Sequence, residues 1–593
     1  AGVDKVTLGE QADGQVVYLG VGDNILVFGA YLNTLTVANV TTVIGGSTND
    51  DITLSTASTG GTIDLAAGND TLTLGDFVNT VTVANVETLL GGASSDLVTL
   101  SDRDAGSTID LGAGGDRLTL GNFTNTLTVA NVETLTGGSD VDLVTLSAQA
   151  TGSTIDLGTG LDRLTLGDFV NTVTLSRVET VVGGASSDTV ILATVFDGGT
   201  VDLGGGLDKL TLGAFVNTVT VANVETVIGA ASADTVTFST QATGATVDLA
   251  GGADVLTLGA FVNTVTVSNT ETITGGSTND TVTLATQATG ATVDLGAGLD
   301  TLVLGNFVNT VTVTKVETLT GGSTDDTVVL GAVVTGATLD LGAGGDTLTF
   351  ADTGATVTLS NVETVVGSAI DDRVTLAGGT TPMAIDLGAG TDRLVIGDFV
   401  GTVTASNIET ITGGASADTV ILATRATGTT VDLAGGLDAL TLGAFVNTVT
   451  VSNAETVTGG ASADTVTLAT QATGVAVDLG GAADKLVLGA FANTLTISNV
   501  ETVLGGGLVD TVTLGTQATG TTVDLGAGAD RLVLGDFVNT VTVTAVETVT
   551  GGSTDDTVVL SGAVTGATFD LGAGADTLVF AAGGATVTVT GVE

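Results

Sequence analysis

Apolar and polar residues alternate along this chain in short runs that return every 46 residues. Within residues 64–109 and their flanks, Leu72 and Leu74, Val81 and Val83, Val98 and Leu100, and Ile109 and Leu111 are interleaved with Thr71, Thr73, Thr80, Thr82, Thr99, Thr108 and Asp110. A period of two built from β-branched residues predicts strands of four or five residues, each with one buried and one wet face. Gly68, Gly75, Gly91, Gly92 and Gly106 punctuate the runs as turns. No stretch carries a helical period.

The 46-residue period has no insertion or deletion: Asp64 returns at Asp110, Asp156, Asp202, Asp248, Asp294, Asp340, Asp386, Asp432, Asp478, Asp524 and Asp570. So strict a period means one unit stacked on copies of itself. The expected fold is all-β: an elongated parallel β-solenoid or β-roll of thirteen repeats, with residues 1–593 as one continuous array and 1–46 as a divergent first repeat. Asp70 to Asp96 spans 26 residues and Asp96 to Asp116 spans 20, which suggests two coils per repeat. At ~4.8 Å per coil, about 25 coils would make a rod roughly 120 Å long. Phe77 and its equivalents Phe123, Phe169, Phe215, Phe261, Phe307, Phe399, Phe445, Phe491 and Phe537 are expected to plug the wide end of the long coil. Phe350 and Phe580, in repeats that lose that Phe, fit the same core role as volume-conserving swaps. Asn79, Asn125, Asn171 and Asn217 are expected to form a stacked turn ladder.

Composition narrows the function. There is no Cys, His or Trp, which removes disulfides, thiolate and imidazole metal sites, and histidine-based catalysis. Twelve Lys and Arg face 65 acids, a formal charge of −53, so nucleic acid is not an expected partner. The chain is 43 % apolar and rich in Val, Thr and Leu, so its acidity is not of the disordered kind. No apolar run approaches the ~18–20 residues of a membrane span. There is no basic-then-apolar leader at the start, though Ala1 could follow a signal cleavage. The composition fits a secreted bacterial surface protein. The expectation is a scaffold or multi-site binder and not an enzyme, because Arg103, Arg117, Arg163, Arg393, Arg425 and Arg531 stand singly in different repeats.

Forty-nine of the 65 acids belong to four recurring series. The first is Asp4, Asp50, Asp96, Asp142, Asp188, Asp234, Asp280, Asp326, Asp372, Asp418, Asp464, Asp510 and Asp556. The second is Asp70, Asp116, Asp162, Asp208, Asp254, Asp300, Asp346, Asp392, Asp438, Asp484, Asp530 and Asp576. The third is the Asp64 series given above, and the fourth runs from Glu87 to Glu593; the first repeat replaces these three with Asn24, Tyr18 and Thr41. First- and second-series Asp residues each end a Gly-rich turn and begin a strand, facing inward by parity with Val98 and Leu100. Stacked coils would crowd such carboxylates, at a cost of several kcal/mol per unpaired ion. Ca²⁺, which takes 6–8 oxygens from carboxylates and turn carbonyls, would resolve the crowding better than Mg²⁺. These two series are the candidate metal ligands, with the third as possible additional ligands. The plain alternative is that these Asp residues cap turns and accept backbone N–H bonds, which leaves the charge uncompensated. Glu87 is read as a solvent-facing corner charge, or else as part of a second cation site or an intermolecular contact.

The segments Gly91-Gly92-Ala93-Ser94-Ser95-Asp96 and Leu111-Gly112-Ala113-Gly114-Gly115-Asp116 resemble two partial copies of the repeats-in-toxin (RTX) nonapeptide, Gly-Gly-x-Gly-x-Asp-x-U-x. The resemblance implies a parallel β-roll that binds several Ca²⁺ ions between stacked turns through the Asp and backbone carbonyls. It also implies secretion unfolded and folding on meeting external calcium. It covers about 20 of every 46 residues. Ser94 and Leu111 stand where the nonapeptide has Gly, and the connecting segments are longer.

The function that follows is a calcium-stabilised extracellular structural protein: a filament, surface layer or adhesin stalk. Its expected partners are copies of itself, head to tail or side by side, and cell-surface polysaccharide. Head-to-tail stacking is suggested by the five residues, equivalent to Thr88–Gly92, that separate one copy's last position from the next copy's first. The alternative is that flanking parts have been removed. Outward Thr rows make ice binding a rival reading.

Overall fold

The computed structural model describes residues 2–379, 382–581 and 583–593; Ala1, with its cleavage reading, lies outside them. The chain divides into two compact units, Ala1–Asp300 and Thr301–Glu593. Each is a parallel β-solenoid, and no helix occurs among the described residues.

In the first unit one repeat supplies five strands: Thr59–Asp64, Thr71–Thr73, Thr80–Ala84, Thr88–Gly92 and Leu97–Leu100. Consecutive strands fall in opposite sheets, and each pairs in parallel with the strand two places on. Side chains that alternate inward stack in register through the coils. In one sheet Ile52, Leu72, Leu89 and Ile109 form a column; in the other Val81, Val98, Leu118, Leu135 and Ile155 form its counterpart. All are at most 2 % exposed, and Leu74, Val83, Leu100 and Leu111 are buried beside them, so the core is built of facing aliphatic columns. The second unit repeats the scheme, with Val311, Val328, Leu348, Val365 and Ile385 in one buried column.

The coil count is close to expectation, but its phase differs. Down one edge the coil-to-coil steps are 17 residues (Asn33 to Asp50), 20 (Asp50 to Asp70), 17 (Asp70 to Glu87), 17 (Asn85 to Asp102) and 21 (Asp104 to Asn125). Five coils therefore consume two repeats, and the 26 residues from Asp70 to Asp96 run past one coil. The cause is strand parity. Five strands per repeat, dealt alternately to two sheets, place equivalent residues of successive repeats on opposite edges. The longest step absorbs its extra residue in a bulge, as at Thr59/Gly61 beside the left-handed Gly60 (φ +76°).

The Phe expectation is corrected. Phe77, Phe123, Phe169, Phe215, Phe261, Phe307, Phe445, Phe491 and Phe537 are 37–44 % exposed. The Phe123 ring lies against the glycine of its own turn, 2.8 Å from where a Cβ on Gly121 would sit. At the Phe77 turn the inward side is already filled by Leu74 and Asn79, both fully buried, so the ring covers backbone instead. Phe350 is buried, but it pairs with Leu330 at the place of Leu304 and does not stand in for the exposed ring.

Candidate functional site: two carboxylate ladders

Each edge carries a ladder of side chains, one rung per coil, in the order Asn, first-series Asp, second-series Asp, Glu and a variable fifth residue. The rungs sit where a turn enters a strand, so each side chain reaches the backbone of the neighbouring coil. Asn79 Nδ2 and its backbone N–H both donate to Asp96 Oδ1, at 2.9 Å each. The Asp96 amide donates to Asp116 Oδ1 at 2.6 Å, and the Asp116 amide to Glu133 Oε2 at 2.8 Å. Asn79 Oδ1 in turn accepts from the Ser58 amide. On the other edge Asn33, Asp50, Asp70 and Glu87 are joined in the same way. In the second unit Asn447, Asp464, Asp484 and Glu501 repeat the pattern.

The inward orientation expected of both Asp series holds: Asp50 to Asp556 and Asp70 to Asp576 are at most 2 % exposed, while Asp4 is exposed. Asn79 stacks as expected of a ladder residue, but on Ser58 and Asp96 and not on another Asn. Glu87 is partly exposed, yet its carboxylate is a rung and not a free corner charge. The third series lies elsewhere. Asp64, Asp110 and Asp202 are partly exposed and accept from Asn85, Asn131 and Asn223 at the left-handed corner, and Asp156 pairs with Arg177. The sequence carries this link as Asn recurring 21 residues after eight of the twelve Asp residues, with Arg177, Lys315, Ala545 and Gly591 at the other four, a signal that strand periodicity does not draw attention to.

The two inward series differ in what their second oxygen meets. In the first series Oδ2 turns back to the glycine amide four residues upstream, as Asp50 to Gly46 (3.3 Å) and Asp280 to Gly276 (3.1 Å). It finds no hydrogen-bond partner at Asp96, Asp188, Asp234, Asp326 and Asp556. In the second series the buried Oδ2 meets no partner at Asp70, Asp116, Asp162, Asp208 and Asp254, nor at Asp346, Asp392, Asp438, Asp484, Asp530 and Asp576. Burial, and then the negative charges of Glu87 and Asp50, push the Asp70 carboxyl up to about 6, against the opposing bond from the Asp50 amide. Burial likewise pushes Asp116, Asp162, Asp208, Asp254, Asp346, Asp392 and Asp484 up to about 6.

The ladder strings its acids one per coil, and among the described residues no three acidic groups gather into a metal-holding cluster. The chemistry of the donors nevertheless suits a hard cation: buried carboxylate oxygens without donors, beside turns whose carbonyls are close at hand. Turn glycines make that approach possible. A Cβ on Gly92 would lie 2.2 Å from the Gly75 carbonyl oxygen, and one on Gly112, at φ +80°, 2.1 Å from that of Gly92.

The chain thus defines a class by its fold and site: parallel β-solenoids with buried carboxylate ladders on both edges. Compared with known proteins, it matches no family profile, and no curated protein is similar to it in sequence.

Proposed function

We propose that this is a structural solenoid whose ladders are neutralised by divalent cations, calcium above all, and that it serves outside the cell in a filament, surface layer or adhesin stalk. One observation carries the reading. Acids on three successive coils are stacked at each edge, and the partners they have are backbone and asparagine amides, not cationic side chains. Two ionised carboxylates on adjacent coils, ~4.8 Å apart, repel by about 3 kcal/mol at an effective dielectric of 20. Amide dipoles do not cancel that repulsion along whole edges, whereas bound cations do. An ion that binds the stack and not the unfolded chain contributes folding free energy at every site. Millimolar calcium outside the cell then supports an extracellular place of work. The half-exposed Phe77 and Val78 corner, repeated at Phe169 and Val170, supports side-by-side contact between copies.

Outward Thr71, Thr88, Thr108 and Thr128 also stand in one column. Its neighbour, however, runs through Leu90 and Asp110, which interrupts the regular hydroxyl array that ice binding would use. The deciding experiment is circular dichroism and thermal melting in EGTA and in millimolar Ca²⁺, with bound metal measured and both samples imaged by negative stain. A calcium-dependent gain of β-structure and melting temperature is expected. An unchanged melt with no retained metal would overturn the proposal.

A further inference from the structure

The first repeat has Asn24 where the other repeats have a second-series Asp. Asn24 is fully buried, and its Oδ1 accepts from the Asp4 amide as Asp70 Oδ1 accepts from Asp50. Its Nδ2 therefore occupies the place of the orphaned Oδ2. That amide donates to three backbone carbonyls: Leu19 at 3.3 Å, Gly20 at 3.3 Å and Asn39 at 3.0 Å. One repeat later the same carbonyls belong to Leu65, Ala66 and Asn85. A carboxylate oxygen aimed at three carbonyl oxygens has only acceptors around it, so the position calls for something positive.

Asn79 shows the fold meeting the same need at another rung. Its Nδ2 donates to the carbonyls of Leu74 and Phe77 within its own turn. Two of the nest residues keep left-handed backbone whatever their side chain. Ala66 (φ +66°), Gly112 (+80°) and Ala250 (+68°) share one position; Asn85 (+50°), Arg177 (+50°) and Asn269 (+50°) share the other. The rim of the nest meets solvent, because a surface groove is lined by Ala250, Asn269 and Glu271, and equivalent grooves recur at Gly388, Asn407 and Glu409 and at Ala434, Asn453 and Glu455, while the carboxylates of Asp254, Asp392 and Asp438 lie buried behind it.

We infer that each repeat after the first holds one hard divalent cation in this corner nest, bound by the second-series Asp Oδ2 and three backbone carbonyls, and that Asn24 is a built-in substitute for it. This rests on the cation reading above and narrows it. The site is the second series alone, alternating between edges, and the first repeat is complete without an ion. The nest's carboxylate and the adjacent Glu rung together carry two negative charges, which matches a divalent ion of calcium's kind.

The test uses the full chain with Asp116→Asn, Asp162→Asn, Asp208→Asn and Asp254→Asn combined, read by bound Ca²⁺ per chain after equilibrium dialysis and by melting in EGTA at pH 7.5. Four fewer calcium ions than wild type, with a higher melting temperature in EGTA, are expected, because each new amide can donate as Asn24 does. The reverse variant Asn24→Asp with Thr41→Glu should gain one ion and melt lower in EGTA. A first-series control, Asp142→Asn with Asp188→Asn, should keep the wild-type count. If wild type binds calcium and the fourfold variant binds as many, the nest assignment is wrong while the cation reading stands. If wild type binds none, both fall.

Discussion

Gly401 stands where most repeats have the ladder Asn, and the substitution Gly401→Asn should stabilise its neighbourhood. Asp418, the carboxylate it faces, is fully buried, and its Oδ1 has no hydrogen-bond partner; Oδ2 accepts from the Gly414 amide at 3.2 Å. The Gly401 amide lowers the Asp418 pKa against the rise that burial imposes, yet closes no hydrogen bond on Oδ1. One repeat on, Asn447 donates to Asp464 Oδ1 from both its backbone (3.0 Å) and Nδ2 (2.9 Å). A Cβ at Gly401 would meet Ile396 Cγ2 at 3.3 Å and Asp418 Oδ1 and Phe399 Cε2 at 3.4 Å, so the side chain enters with a small adjustment. A hydrogen bond to a charged acceptor contributes about 1.5–3 kcal/mol. Removing a glycine from the unfolded chain adds roughly 0.5 kcal/mol, and ordering the Asn side chain takes back about 1. The net gain is about 1–2.5 kcal/mol. Unfolding of a repeat array need not be two-state, so a global midpoint would dilute the effect. Native-state hydrogen exchange of peptides spanning 401–422 reads it locally. Exchange should slow by about 5–60-fold, and Asn447→Gly should quicken it by a similar factor around Asp464. Equal or faster exchange in Gly401→Asn would refute the idea that the Asn rung stabilises the first-series carboxylate.

Three further outcomes follow from the same geometry. At Ala355, another repeat without the Asn, Ser368 replaces a turn glycine and donates from its backbone (2.8 Å) and hydroxyl (3.1 Å) to Asp372 Oδ2, so Ser368→Gly should cost about 1–2 kcal/mol, seen as faster exchange around Asp372. Gly92→Ala would set a Cβ 2.2 Å from a backbone oxygen of the next coil, which no rotamer relieves, and should cost upwards of about 1–3 kcal/mol in a urea melt. The second-series carboxyls have folded pKa values raised to about 6 from an ordinary value near 3.8, so the folded state binds more protons across that window. Their contribution to stability is then lost as pH rises from about 4 through 6. In EGTA the melting temperature should be higher near pH 5 than at pH 7.5, and the increment due to Ca²⁺ should shrink as protons compete below pH 6.

Strand positions, the inward turn of the two Asp series and the solenoid class were readable from the chain, because a period of two combined with a fixed repeat leaves few other ways to bury Leu72, Val81, Val98 and Ile109. The coil phase was not. Taking Asp70 and Asp96 as equivalent starts assumed that they share an edge, whereas 17-residue steps such as Asp70 to Glu87 put them on opposite ones. Periodicity reports which residues face inward, but not which sheet receives each strand. The Phe rings were misplaced for a related reason: an aromatic in a turn covers backbone as readily as it fills a core. Most informative was a departure from the repeat. From sequence, Asn24 reads as part of a first copy that caps the array or faces another chain, and only its hydrogen bonds reveal what the equivalent Asp residues face.

The odd strand count has an electrostatic consequence. Five strands per repeat send the acids of successive repeats to alternate edges, so the Asp–Asp–Glu group on any one edge returns only after five coils. Within a unit, two rungs without a fixed charge, such as Ala150 and Asn171 between Glu133 and Asp188, then separate one charged triplet from the next, except where Asp104 takes the fifth rung. The facing ends of successive triplets are three coils apart, about 14 Å at ~4.8 Å per coil, nearly two Debye lengths at physiological ionic strength, where that length is ≈ 8 Å. The half-turn phase thus confines repulsion to neighbours within a triplet. That is the range over which one cation, held beside its central Asp, can offset it.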